Sequence, residues 1–322
     1  MRTRVGVRCD AGGARGVGHL VRCVALAEEL RGRGVEVCFL GDLAGSAWAR
    51  AQLLERRLPL VPAPERPARL AALARDLELD AVVLDSYDLP PGTGAAVRES
   101  AAVLAIVDGD SPGQDADLYL DQNLGAELRP VPPLTRRLAG SRYVLLRDSV
   151  RRLRRKAGAR RAVPRVLCFF GGTDSAGVAP AWARALADTG LPFQATVVSP
   201  EPFAVEGPFT VIPPTDRLPV LMTEADLVVT AAGSAVWELL YLGVPAALTW
   251  VADNQLIGYE ALVGRGIAAG LGPEAGPAAT KVLACLLADP AAREEFGRRG
   301  HGLVDGKGRE RVADTLLALI GG

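Results

Sequence analysis

The chain has 322 residues, 49% hydrophobic, 23% charged and 5% aromatic, and its 37 basic residues balance 37 acidic ones. That length suits two domains of about 150 residues with sizeable cores, and the composition excludes general disorder. Zero net charge argues against a polyanionic partner, few aromatics against base-stacking platforms, and two histidines with five scattered cysteines against a His- or Cys-rich metal site.

The N-terminus runs into "RTRVGVRC" without an apolar signal core, and no apolar run reaches the roughly 18 residues of a membrane span. The expectation is a reduced, cytoplasmic α/β protein. "VGVRC" (5–9), "VEVCFLG" (35–41), "AVVLDS" (81–86) and "VLAIVDG" (103–109) are apolar without alternation, which predicts strands buried on both faces. Between them "LVRCVALAEELRGRG", "SAWARAQLLERR" and "PARLAALARDLEL" predict helices. This alternation predicts a parallel, doubly wound sheet.

Residues 147–165, "RDSVRRLRRKAGARRAVPR", are dense in arginine, with Asp148 their sole acid, and read as an interdomain connector. A solvated linker is preferred to a nucleic-acid arm. The alternation then resumes with "VLCFFGG" (166–172), "ATVVS" (195–199), "DLVVTAAG" (226–233) and "VPAALTW" (244–250). The expected architecture is α/β: two Rossmann-like domains, residues 1–155 and 156–322, with a ligand cleft between them at the carboxyl ends of the strands.

The first strand leads into "DAGGARGVGHLVRCVALAEEL" (10–30). No Gly-Lys-Ser/Thr closes this loop, and Val21 stands where a dinucleotide fingerprint needs its third glycine. What remains is a glycine-rich turn from strand to helix. Gly16 and Gly18 let backbone approach a ligand, and the helix start offers unpaired N–H groups. His19 falls in the first helical turn, where the positive end of the dipole disfavours imidazolium, so a neutral ring able to take a proton from water is expected. Arg22, three residues on, shares that face and could hold an anionic group. Arg8 and Asp10, at the end of the strand, are expected to point into the same crevice. The competing reading is a helix-capping histidine beside ordinary turn glycines. His301, among late polar helices, is expected to have no catalytic role.

"CFFGGTDSAGVA" (168–179) repeats the strand, glycine turn and helix arrangement. Gly171, Gly172 and Thr173 offer backbone N–H groups and a hydroxyl to a phosphate, while Asp174 or Ser175 serves equally well as a helix cap. In "TAAGSAVWELLYLGVPAALTWVADNQ" (230–255), Gly233 and Ser234 open a helix and Glu238 lies one turn on, placed to accept hydrogen bonds from a ribose diol. Asn254 and Gln255 sit on the loop after the next strand. Three such loops suit a diphosphate sugar nucleotide.

These segments resemble the inverting glycosyltransferases of the GT-B fold and, more narrowly, the UDP-2,4-diacetamido-2,4,6-trideoxy-β-L-altropyranose hydrolases of pseudaminic acid biosynthesis. The motifs in common are Arg-x-Asp followed by Gly-x-Gly-His-x-x-Arg in the first loop, "VLDSYDL", "IVDGDSPGQDADLYLDQN", "FFGGTD", "GSAVWELLYLGVP" and "ADNQ", in that order from residue 3 to about 265. The resemblance implies a hydrolase acting without metal or cofactor, with His19 as base for water and Tyr87 and Asn254 lining the reacting sugar. It assigns the UDP to Gly172, Thr173, Ser234 and Glu238. Two alternatives stand beside it: a transferase using the same donor with a sugar, lipid or metabolite acceptor, and a non-catalytic sugar-nucleotide binder. The coexistence of His19, Tyr87 and Asn254 favours an enzyme. The expected partner is the UDP-sugar alone, with no nucleic acid and with a monomer as the default.

Overall fold

The computed structural model describes residues 2–13, 16–109, 113–130, 135–153, 161–172 and 174–321. The apolar runs become strands with both faces covered. In the first unit these are β1 (Arg4–Cys9), β2 (Glu36–Leu40), β3 (Leu60–Val61), β4 (Ala81–Asp85), β5 (Ala102–Ile106), β6 (Leu118–Asp121) and β7 (Arg137–Ala139). All pair in parallel, in the order β3-β2-β1-β4-β5-β6-β7. The winding reverses between β1 and β4, and their register sets Cys9 beside Asp85 at the carboxyl ends. A ligand crevice is expected at such a switch point.

The crossovers carry α1 (Gly18–Gly32), α2 (Ala47–Glu55), α3 (Pro67–Asp76) and α4 (Thr93–Arg98). Alternation sends Val5, Val7 and Cys9 of β1 onto Leu20, Cys23, Val24 and Ala27 of α1. Leu40, Val82 and Leu84 instead pack with Leu70 and Ala74 of α3.

The chain leaves this unit at a single turn, α5 (Asp148–Arg151). The second unit holds β8 (Arg165–Phe169), α6 (Ala179–Ala187), β9 (Gln194–Val198), β10 (Phe209–Ile212), α7 (Leu218–Glu224), β11 (Leu227–Ala231), α8 (Ala235–Leu242), β12 (Ala246–Thr249), α9 (Leu256–Gly264), β13 (Ala269–Gly270), α10 (Pro277–Ala288) and α11 (Pro290–Gly300). Its parallel sheet runs β10-β9-β8-β11-β12-β13, with the switch point between β8 and β11. Trp182, Leu186, Val197, Val229 and Leu283 lie in its core. Of the basic connector, residues 154–160 lie outside the described residues. Beyond them Arg161 pairs with Asp226 at 2.8 Å.

The sequence predicts a second domain of residues 156–322, and the C-terminal helix departs from this. Residues 1–148 and 306–322 form one unit and residues 149–305 the other. The cause is α12 (Gly308–Ile320), which buries Val312, Ala313 and Leu316 in the first core. Arg309, 8% exposed at its side chain, reaches Glu28 (3.2 Å), Glu29 (3.2 Å) and Asp148 (2.6 Å). Gly308 lies so close to the chain that a Cβ there would sit 2.2 Å from the Val144 carbonyl oxygen. Among the described residues no helix is long and apolar enough to cross a membrane.

Candidate active site

At the switch point of the first unit, β4 ends in Asp85, a carboxylate with no solvent exposure. Helix α1 faces it with His19, Arg22 and Cys23, one turn apart. His19 Nδ1 lies 2.5 Å from Asp85 Oδ1. Arg22 grips the same carboxylate in a bidentate fork, Nη2 to Oδ1 at 2.6 Å and Nε to Oδ2 at 2.7 Å. Its remaining nitrogen, Nη1, reaches Asp108 Oδ2 at 3.1 Å. Tyr87 donates its hydroxyl to that same Oδ2, and Asn123 Nδ2 donates to Asp108 Oδ1 at 2.8 Å. Asn123 also donates to Asp121 Oδ1 at 2.8 Å, and Asp121 pairs with Arg129 at 2.7 Å.

Burial pushes the Asp85 carboxyl up, but Arg22 and His19 outweigh it and hold the group well below the usual carboxylate range. Asp108 is lowered in the same way, against its burial, by Arg22, Tyr87 and Asn123. An ionised carboxylate only accepts, so His19 must donate from Nδ1. The guanidinium nitrogen 3.4 Å from Nδ1 is too distant to compete for that position. In the neutral ring Nε2 is then the accepting atom. Tyr87, 53% exposed, sets its ring against the imidazole edge-on, with centroids 4.7 Å apart.

Two sequence expectations change here. Arg22 does share the face of His19, but its guanidinium is spent on Asp85 and Asp108 rather than held ready for an external anion. Arg8 and Asp10 pair with each other at 2.7 Å, and Asp10 accepts from the Asp42 N–H at 2.9 Å, tying the ends of β1 and β2 together. Strand alternation turns Arg8 to the face opposite Cys9 and α1, away from the His19 crevice. Gly16, at φ +68°, adopts the left-handed backbone its glycine permits, and its carbonyl accepts from Gly12 N–H at 2.7 Å. Gly18 is the first residue of α1, whose start has no side-chain cap and no acid in its first turn.

In the second unit the loops after the adjacent strands β8, β11 and β12 bring the remaining expected residues to one end of the sheet. Gly171 is left-handed at φ +77° and Gly172 follows it, while Thr173 lies outside the described residues. Asp174 caps α6, accepting from the N–H groups of Val178 (3.0 Å) and Ala179 (3.1 Å). Ser234 precedes α8 without capping it, and Glu238 is buried in that helix's first turn. Gln255 accepts from Val251 N–H at 2.9 Å, and its Nε2 would lie 3.8 Å from a Cβ at Gly233. Asn254 is exposed on the same turn, Asp253–Gln255. His301 packs beside Gly243 at the end of α8.

The sequence motifs contain Asp85, Asp108, Asp121 and Asn123, to which the sequence alone assigns no role. Their signal was there: "VVLD", "AIVD" and "LYLD" each end an apolar run in an aspartate. Among the described residues no cluster of three or more His, Cys, Asp and Glu side chains is disposed to hold a metal ion.

No protein-family model matches this sequence. An uncharacterized protein of Methanocaldococcus jannaschii is 21% identical over 80% of the chain, which spans 57% of that relative's length. The spore coat polysaccharide biosynthesis protein SpsG of Bacillus subtilis is 24% identical over 98% of both chains. Among solved structures, Acinetobacter baumannii MurG matches at a TM-score of 0.70 and 15% identity, covering 98% of this chain and 99% of its own. The spinosyn forosaminyltransferase SpnP matches at 0.71 and 15% over the whole of both chains. The fold, two parallel-sheet α/β domains, is that of the GT-B glycosyltransferases.

Proposed function

We propose that this protein cleaves the anomeric C–O bond of a UDP-amino-deoxy sugar with water, inverting the anomeric centre, with His19 as general base. The observation that carries the reading is the His19–Asp85 contact: a buried, ionised carboxylate fixes the ring with Nδ1 donating and Nε2 free to accept. Water oxygen bonds to the anomeric carbon while its proton passes to Nε2. The bond to the phosphate oxygen breaks, and its electron pair leaves with UDP. Asp85 stabilises the imidazolium so formed, and such a base contributes about 10²–10⁴-fold.

The first unit carries the base and the second the nucleotide. Within the second unit we assign the diphosphate to the backbone N–H groups at Gly171 and Gly172 and at the start of α8, together with the Ser234 hydroxyl. In that unit Glu238 is assigned to the ribose and Asn254 and Gln255 to the substrate, while Tyr87 is assigned to the sugar on the first unit, beside His19. The glycosyltransferase-like fold and a relative named for polysaccharide biosynthesis support sugar-nucleotide chemistry. They equally favour a second reading, in which an acceptor hydroxyl replaces water at the same base.

The test is incubation with UDP-2,4-diacetamido-2,4,6-trideoxy-L-altrose and no acceptor, following UDP by anion exchange. The expected result is catalytic UDP release that is lost in His19→Ala. Intact substrate, with release only when an acceptor is supplied, replaces the hydrolase reading by the transferase.

A further inference from the structure

Resting on the reading of His19 as base, we propose that the Cys23 thiol is a positioning residue that sets the basicity of His19 through Asp85. Each Asp85 oxygen accepts from two donors. Oδ1 takes His19 Nδ1 (2.5 Å) and Arg22 Nη2 (2.6 Å), and Oδ2 takes Arg22 Nε (2.7 Å) and Cys23 Sγ (3.3 Å). The thiol is the weakest donor of the four. Burial, then Cys9 and Asp85, push it well up, so it stays an S–H donor. Both Cys9 and Cys23 are closed off from solvent, at 1% and 0% exposure.

The remaining groups around the pair are Arg22 on α1, Tyr87 after β4 and Asp108 after β5. Arg22 fixes the fork, so the strength of the fourth donor is the free variable. Every hydrogen bond on Asp85 draws charge away from His19. Without the thiol, the carboxylate faces the ring with more charge and stabilises imidazolium. With a hydroxyl, a stronger donor, it faces the ring with less.

The chain has two histidines, so ¹⁵N NMR titration of the intact protein resolves His19 against His301 as internal control. Cys23→Ala is expected to raise the His19 midpoint by about half a pH unit, and Cys23→Ser to lower it by a similar amount. The His301 midpoint stays fixed. The acid limb of UDP release should move with His19 in each variant. Opposite signs in the two variants support the proposal, and either variant alone tests one sign. Equal signs, or no shift in either, overturn it. The titration needs no turnover, so failure of the hydrolase reading shows as absent UDP release while the NMR result still decides the role of Cys23.

Discussion

His19 Nδ1 sits 2.5 Å from Asp85 Oδ1, joining the first turn of α1 to the end of β4 across the switch point of the sheet. The contact orders the chemistry around it. Asp85 is fully buried and spends its other bonds on Arg22 and Cys23, so the imidazole is the outward-facing end of a fixed array.

Asp85→Asn should cost about 3–5 kcal/mol at pH 7, because Arg22 is left with half its partners in a buried place. Urea unfolding reads this directly. The pH dependence has a definite sign. The folded Asp85 lies below its unfolded value of about 3.9, so its contribution is complete above about pH 5 and is lost as pH falls through the folded value. Asp121, which burial pushes up, acts with the opposite sign, so the comparison is between wild type and variant. Their stability gap should narrow on acidification; a gap that widens contradicts the ion pair.

Tyr87→Phe should leave stability within about 1 kcal/mol, since the ring is half exposed. It removes the hydroxyl bond to Asp108 beside the base. Turnover should fall about tenfold with little change in the urea midpoint, as expected for a group acting on the reaction more than on the fold. A lost midpoint with normal turnover would assign Tyr87 to structure alone.

Arg309→Met should destabilise the first unit by about 2–4 kcal/mol, because Glu28, Glu29 and Asp148 lose a shared buried partner. Far-UV dichroism in urea gives the number. Gly308→Ala should be as damaging, through the 2.2 Å approach to the Val144 carbonyl. A harmless outcome for both would mean that α12 does not hold the first unit together.

The strands buried on both faces were legible because continuous apolar runs leave few other folds open, and His19 because the glycines before it mark the helix start. The return of α12 was not. It depends on Arg309 meeting Glu28, 281 positions away, and a local reading of "GRERVADTLLALI" gives only an amphipathic helix. The short strands β3 and β13, two residues each, carry no periodicity to read. Asp85 was visible as a letter but silent as a function. An aspartate at a strand end reads as turn chemistry until α1 lays Arg22 and His19 against it. Arg8 shows the converse: adjacency to the loop in sequence says nothing of which face of β1 it occupies.

The most direct measurement is turnover of the UDP-sugar in ¹⁸O-labelled water, with mass spectrometry of both products. The account predicts that UDP leaves unlabelled, the sugar carries the ¹⁸O, and His19→Gln slows the reaction about 10²–10⁴-fold. Label in UDP would place the cleavage at phosphorus, and an undiminished rate in His19→Gln would remove the base; either result contradicts the mechanism.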